Sequence, residues 1–205
     1  MANTPYFPPI AVGSLNWGGP LNTAIANLDR TVGSTPQGQD MIAWQFDPAS
    51  NMVGTAITSG TVNWSKLWIP QPSTITNVCI ALSATGVGLV AGQNFAGLYD
   101  DAGIRLGVTA DQTAAWGTAG FKEMALTAPV VTTAPGFYYV AVLCNAGTSP
   151  PFARGSALTA SIPNAKLTTT NARFALGPTL QTSLPASVTL STRTLTANAL
   201  WSAVS

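Results

Sequence analysis

Two apolar runs, residues 95–99 and 104–109, flank the tetrapeptide Asp100-Asp101-Ala102-Gly103. Apolar runs joined by a short Asp-rich loop that ends in Gly are typical of a β-hairpin. Gly103 can take the left-handed conformation that closes such a loop, where a side chain would be strained. The pattern therefore predicts a hairpin over residues 95–109.

The segment at residues 136–144 is the most strand-like of the chain, because it is aromatic and β-branched and follows Pro135. Both of its faces are apolar, which predicts a central strand covered on both sides. A two-layer sandwich covers one face, so we expect a neighbouring subunit or the N-terminal arm to cover the other. The residues expected on that second face are Tyr138, Val140 and Val142, and the arm would contribute Trp17 and Trp44.

Residues 74–84 alternate in polarity, with Val78, Ile80 and Leu82 on one face and Cys79 and Ala81 on the other. Further short strands are expected near residues 152–156, 172–176, 188–190 and 195–201, at intervals of about ten residues with Gly, Pro and Asn turns. This spacing predicts an all-β fold, a two-sheet antiparallel β-sandwich that is jelly-roll-like. We assign it to residues 39–205.

Residues 1–38 read as an N-terminal arm, one short α-helix and a linker that together anchor the protein. Residues 1–19 are extended and too apolar for a free tail, Trp17 included. Pro20 is suited to the first position of a helix. The spacing of four, three and four that follows predicts a narrow apolar seam, formed by Leu21, Ile25, Leu28 and Val32. A helix of about 12 residues is marginal alone in water, so it packs on its own sandwich, on symmetry mates or on another protein.

Composition narrows the class of protein. Charged residues are 7 % of the chain, the net charge is +1, and 46 % of residues are hydrophobic. No basic cluster is dense enough to follow phosphates, so nucleic acid is not an expected partner. So few charges suit a chain that buries surface in an assembly. We therefore expect a homotrimer with apolar contacts between sandwiches. The alternative is a secreted β-domain with a hydroxyl-rich surface. No secretion signal or membrane span is predicted, and Cys79 and Cys144 are expected to be buried free thiols.

The chain has no histidine and seven carboxylates. Catalysis by Ser-His-Asp or Cys-His groups is therefore excluded, and a glycosidase-like carboxylate pair is not indicated. Asp100, Asp101 and Asp111 do not have the spacing of a calcium loop. We expect no enzyme activity, no metal and no cofactor.

Trp116 lies in a predicted loop beside Asp111 and Gln112. An exposed ring next to carboxylate and amide groups is suited to stacking on a sugar and bonding its hydroxyls. These three residues are therefore the candidate ligand-binding site. The alternative is that the Trp116 ring folds back over an open end of the sandwich.

Residues 16–22 read Asn-Trp-Gly-Gly-Pro-Leu-Asn, and residues 26–29 read Ala-Asn-Leu-Asp. These motifs resemble the N-terminal segment of minor tail and fibre proteins of bacteriophages, especially those that infect actinobacteria. Residues 91–99, 103–107, 109–112 and 135–143 are similar to the β-sandwich of such proteins, as are residues 184–187 and Trp201. The motifs are structural ones, and the chain lacks the repetitive shaft of a long fibre.

The resemblance implies a virion structural protein that is assembled in the host cytoplasm. It would be a short tail fibre or spike, a head fibre or a decoration protein. Its N-terminal segment would bind other virion proteins, and its sandwich would attach to carbohydrate of the host envelope. A stand-alone carbohydrate-binding module of a secreted protein is the alternative, and a capsule-degrading enzyme is disfavoured by the missing histidine.

Overall fold

A computed structural model describes residues 35–155 and 159–205 of the chain. The predicted arm and helix lie outside the described residues. The same holds for the assembly residues assigned to them, Trp17, Pro20, Leu21, Ile25, Leu28 and Val32.

Strands dominate the described residues. The strands are β1 (Ala43–Trp44), β2 (Met52–Ala56), β3 (Asn63–Ile69), β4 (Thr74–Leu82), β5 (Val87–Leu89), β6 (Phe95–Tyr99), β7 (Arg105–Val108), β8 (Gly120–Val131), β9 (Gly136–Leu143), β10 (Ala146–Thr148), β11 (Pro151–Arg154), β12 (Phe174–Leu176), β13 (Thr194–Leu195) and β14 (Ala203–Val204). Two short α-helices are α1 (Thr113–Trp116) and α2 (Ser161–Asn164), and 3-10 turns occupy Pro36–Gln39, Pro48–Ser50, Thr169–Asn171 and Leu190–Thr192. The strand expected at residues 188–190 is wrong, because this segment runs into the last of these 3-10 turns.

The strands form two six-stranded sheets and a small ribbon of β5 and β10. In the first sheet the order is β1-β14-β4-β11-β2, with β8 on the other edge of β4. In the second sheet the order is β13-β12-β3-β9-β6-β7. All described pairings are antiparallel. The fold is therefore all-β and antiparallel, with a sandwich-like arrangement of sheets, as the strand spacing predicted.

A main apolar core fills the space between the two sheets. The strand β4 contributes Val78, Ile80 and Leu82 to it, while Cys79 lies on the opposite face with Trp201 and Ala203. This is the alternation expected of a strand whose successive side chains point to opposite faces. The two-face pattern predicted for residues 74–84 is confirmed.

The strand β9 is buried on both faces, as predicted. Its Val140 and Val142 belong to the core between the sheets. On its other face, Tyr139, Ala141 and Leu143 form a second core. The cover of this second core comes from the same chain, chiefly from Ala172, Leu184, Val188 and Leu190.

Two expectations about β9 are therefore wrong. The face with Tyr138, Val140 and Val142 looks into the sandwich and not away from it. The outward residues Tyr139, Ala141 and Leu143 need no cover from a neighbouring subunit or the N-terminal arm, because the C-terminal segment folds back over them. The apolar surface of β9 gives no separate support to a homotrimer.

The predicted hairpin is present. Strands β6 and β7 pair, with Gly97 opposite Val108 and Leu98 opposite Gly107. Gly103 has a φ of +84°, and the Asp100 carboxylate accepts from the backbone N–H groups of Ala102 and Ile104 at 3.0 and 2.8 Å. The turn chemistry that the sequence indicated is the chemistry that closes the loop.

Candidate functional site

The outer face of the second sheet changes from buried to exposed along β3. Successive outward residues are Trp64, Lys66 and Trp68, and in the antiparallel register the last two stand opposite Tyr139 and Phe137 of β9. Trp64 is 1 % exposed beneath the C-terminal segment, whereas Trp68 is 43 % and Phe137 48 % exposed. The two exposed rings meet edge to face, with their centroids 4.8 Å apart. One end of this sheet therefore presents an aromatic pair to solvent.

These rings line a depression that we call the aromatic groove. Its volume is about 410 Å³, within the range of small-molecule sites. Its walls are Trp44, Gln45, Lys66, Leu67, Trp68, Phe137, Leu167, Asn171 and Arg173. A second hollow of about 250 Å³ adjoins it and shares Trp44, Gln45 and Trp68 with it. The Trp68 ring is therefore accessible from both hollows.

Lys66 places a cation inside the groove. Its Nζ lies 4.1 Å from the centroid of the Phe137 ring and 5.8 Å from that of Tyr139. It donates a hydrogen bond of 3.3 Å to the backbone oxygen of Asn171. Partial burial lowers the pKa of the Lys66 amine, the positive Arg193 lowers it further, and Asp101 raises it in part. Lys66 thus carries a partly desolvated charge held against aromatic carbon.

Arg173 borders the same groove. Its Nη2 donates to the backbone oxygen of Gln45 at 2.8 Å, and its guanidinium carbon lies 5.2 Å from the Phe174 ring centroid and 5.9 Å from that of Phe46. Burial lowers the pKa of Arg173. The planar guanidinium is thereby fixed in orientation, which suits it to bind a planar anionic group.

The aromatic groove combines flat apolar rings with donors and acceptors at its rim. Gln45 and Asn171 also line the groove. The Gln45 amide is already bonded to Ser202 through both its Nε2 and its Oε1, each at 2.7 Å. The Asn171 Oδ1 accepts from the Thr168 N–H and hydroxyl, so the Asn171 Nδ2 is the amide group that these bonds leave for a ligand. A pyranose has an apolar face of C–H groups and a rim of hydroxyls. An exposed ring beside an amide donor and two cations therefore matches the shape and polarity of a sugar.

Trp116, the ligand-binding residue chosen from the sequence, lies elsewhere. It is 0 % exposed and belongs to the core between the sheets. Its Nε1 donates to the Met124 sulfur at 3.3 Å, and its ring meets Phe152 edge to face at 5.4 Å. A sugar cannot stack on the ring in this conformation. The geometry is that of the packing alternative, in which the ring closes the sandwich.

Asp111 and Gln112 lie in the same loop as Trp116, and their side chains bond to neighbouring groups of the protein. The Asp111 Oδ1 accepts from the Asn94 N–H at 3.1 Å and from the Thr113 hydroxyl at 3.0 Å. Burial raises the pKa of Asp111, but hydrogen bonds from Thr113 and from backbone N–H groups at Gly92 and Asn94 lower it more. Gln112 donates to the Ala110 oxygen at 2.8 Å. These contacts fix the loop that brings Trp116 into the core.

Both cysteines are buried free thiols, as predicted. Burial raises the pKa of Cys79 to about 12 and that of Cys144 to about 11. A thiol reacts as its thiolate, so neither side chain has the features of a nucleophile.

Sequence reasoning missed the aromatic groove. The sequence pattern predicts that residues 136–144 are covered on both faces, and it does not single out Trp68 or Phe137. The available signal was Lys66, a charged residue between Trp64 and Trp68 on one face of the strand. A cation between two tryptophans on an otherwise apolar face indicates that the face leaves the core there.

In the described part of the chain, no three His, Cys, Asp or Glu side chains come together as metal ligands. Within residues 35–155 and 159–205, no helix has the length and apolar character needed to cross a membrane. Neither the known protein-family models nor the curated proteins include a match to this chain.

Proposed function

We propose that this chain is a bacteriophage virion structural protein whose β-sandwich binds carbohydrate of the host envelope at the aromatic groove. The observation that carries the proposal is the pair of exposed rings, Trp68 and Phe137, flanked by Lys66 and Arg173. A ligand that covers these rings gains free energy, because the burial of apolar surface is favourable. A sugar can cover the rings with its C–H groups while its hydroxyls bond to the polar groups around them.

The virion assignment is supported by the resemblance of residues 16–29 to phage tail and fibre proteins and by the low charge of the chain. In this proposal residues 1–38 join the particle, the protein assembles as a homotrimer, and the groove faces outward. The attachment role needs no catalytic group, in keeping with the absence of histidine from the sequence.

Binding to oligosaccharides from host envelopes tests the carbohydrate part. Phe137→Ala should reduce affinity about five- to thirtyfold, because a desolvated aromatic contact is worth about 1–2 kcal/mol. Phe121→Ala is the matched control, since Phe121 is 54 % exposed but lies on β8 of the first sheet. Equal affinities of wild type and Phe137→Ala would overturn the role of the groove.

Incorporation into particles tests the virion part. Deletion of residues 1–32 should leave a folded sandwich that no longer joins the particle. Full occupancy of the truncated protein would mean that the anchor lies in the sandwich.

A second candidate is a stand-alone carbohydrate-binding module. It is favoured by the self-covered outer face of β9, where residues 172–190 take the place that a neighbouring subunit would otherwise have. Light scattering distinguishes the two: a monomer at micromolar concentration favours the module, and a trimer favours the virion protein.

A further inference from the structure

We propose that the aromatic groove selects acidic sugars, namely pyranoses with a carboxylate on the ring, as in hexuronic acids. This inference rests on the proposed carbohydrate-binding function and adds the chemical class of the ligand. Its basis is the charge of the groove and the position of that charge relative to the exposed rings.

All charged side chains that line the groove are positive. Its lining includes the cations Lys66 and Arg173 and no carboxylate. Asp101 is the acid whose field reaches Lys66, and it lines a different hollow, on the Thr170–Ser191 side. A surface with two cations and no acid attracts an anion and disfavours a cation.

The present hydrogen bonds of these cations leave donors for a ligand. Lys66 has a single described acceptor, the Asn171 backbone oxygen, at 3.3 Å. Among the described residues, Arg173 uses only Nη2, toward Gln45. An ammonium has three N–H donors and a guanidinium has five, so both can add bonds to a carboxylate without losing those they make.

The position of Lys66 decides between kinds of anion. Its Nζ lies 4.1 Å from the Phe137 centroid, and that ring lies 4.8 Å from the Trp68 ring. A ligand that stacks on Trp68 and pairs with Lys66 must therefore carry its charge next to its stacking ring. A uronic pyranose has its carboxylate directly on the ring, whereas a polyol phosphate chain has no ring beside its charge.

The test uses the full chain and two oligosaccharides of the same length and linkage, a hexuronate oligomer and its carboxyl-reduced neutral counterpart. By titration calorimetry at low salt, the acidic oligomer should bind about fivefold tighter, as expected for one partly exposed charge pair. The difference should shrink as salt is raised, because screening acts on the charges and not on stacking.

A variant locates the selectivity. Lys66→Met keeps an apolar side chain of similar length and removes the charge, while Arg173 stays in place. It should therefore lower the affinity for the acidic oligomer toward that of the neutral one and leave the affinity for the neutral one little changed. Lys122→Met is the matched control, because Lys122 lies on β8 and bonds to Thr118 and Ala119 there. It should leave both affinities unchanged.

Equal binding of the two oligomers by the wild type would overturn the inference and leave the proposed function intact. Binding of neither would overturn both. Tighter binding of a glycerol phosphate oligomer than of the hexuronate would overturn the choice of a pyranose. The wild-type comparison needs no substitution, so it decides the matter even if Lys66→Met does not fold.

Discussion

At the scale of single residues, Arg193 is the least expected feature of the structure. It is 3 % exposed and lies in the second core. Its Nε donates to the Leu190 oxygen at 3.1 Å, and its Nη2 donates to the oxygens of Thr169 and Thr170 at 2.9 and 3.1 Å. Its guanidinium carbon lies 4.5 Å from the Tyr139 ring centroid. Burial lowers the pKa of Arg193, and Tyr139 raises it in part.

These bonds join the two 3-10 turns at Thr169–Asn171 and Leu190–Thr192. The charge is therefore held by backbone carbonyls and aromatic rings, a set of partners that is spread over distant parts of the chain. The role of Arg193 is to fix the C-terminal segment over β9.

We predict that Arg193→Ala lowers the free energy of unfolding by about 2–4 kcal/mol, because it removes three side-chain hydrogen bonds and the packing of the guanidinium on Tyr139. Arg193→Lys should recover only part of this, since one ammonium cannot reproduce the fork of a guanidinium. Urea unfolding measures the change. The control Lys166→Ala removes one positive charge from an exposed position, and its free energy of unfolding should stay within about 0.5 kcal/mol of that of the wild type. An equally small effect of Arg193→Ala would contradict the role of Arg193.

At the scale of elements, the β6–β7 hairpin is tied to the C-terminal segment. Gly103 lies at this contact, where its backbone oxygen accepts a hydrogen bond of 2.9 Å from the Val188 N–H. A Cβ on Gly103 would lie 2.2 Å from the Val188 backbone oxygen. Glycine is thus required twice, by the left-handed turn and by the close approach of a second chain segment.

A comparison of two glycines separates these requirements. Gly92 has a φ of +75°, and a Cβ there would meet nothing within 4 Å. Gly92→Ala should cost about 1–2 kcal/mol for the left-handed conformation alone. Gly103→Ala should cost about 1–3 kcal/mol more, because a backbone oxygen must move. Chemical denaturation of both variants checks this, and equal losses would mean that the contact with Val188 yields freely.

At the scale of the whole molecule, the C-terminal strand connects two strands of the first sheet. The strand β14 lies between β1 and β4, with Ala203 opposite both Trp44 and Cys79. The strand pairings of the described residues all lie between residues 43 and 204. The two ends of this range meet in one sheet, so its stability depends on both.

We therefore predict opposite results for truncation at the two ends. A chain that begins at Thr35 keeps every described strand and should unfold within about 4 °C of the full chain, which corresponds to about 1–2 kcal/mol for this size. A chain that stops at Thr192 lacks β13 and β14 and should lose its cooperative thermal transition. Calorimetry of the three proteins tests this; loss of the transition on removal of residues 1–34 would show that the N-terminal segment is part of the folded core.

Much of the fold could be predicted from the local pattern. The hairpin at residues 95–109, the two faces of β4 and the burial of β9 on both sides follow from alternation and turn residues, which act between neighbours in sequence. The candidate site could not be predicted in this way. Trp116 and Trp68 are residues of the same type between apolar or small neighbours in sequence, yet the first is buried in the core and the second is 43 % exposed.

The sequence by itself determined that the chain is an antiparallel all-β protein, that Gly103 closes a turn, and that no histidine-based chemistry is available. These properties depend on backbone sterics, on period-two alternation and on residue types. Only the tertiary structure decided that residues 172–190 cover β9 and stop short of Trp68 and Phe137, leaving an aromatic groove between Lys66 and Arg173. The physical reason is that burial depends on which distant segments share a volume, and the apolar character of a side chain is the same whether a segment covers it or not.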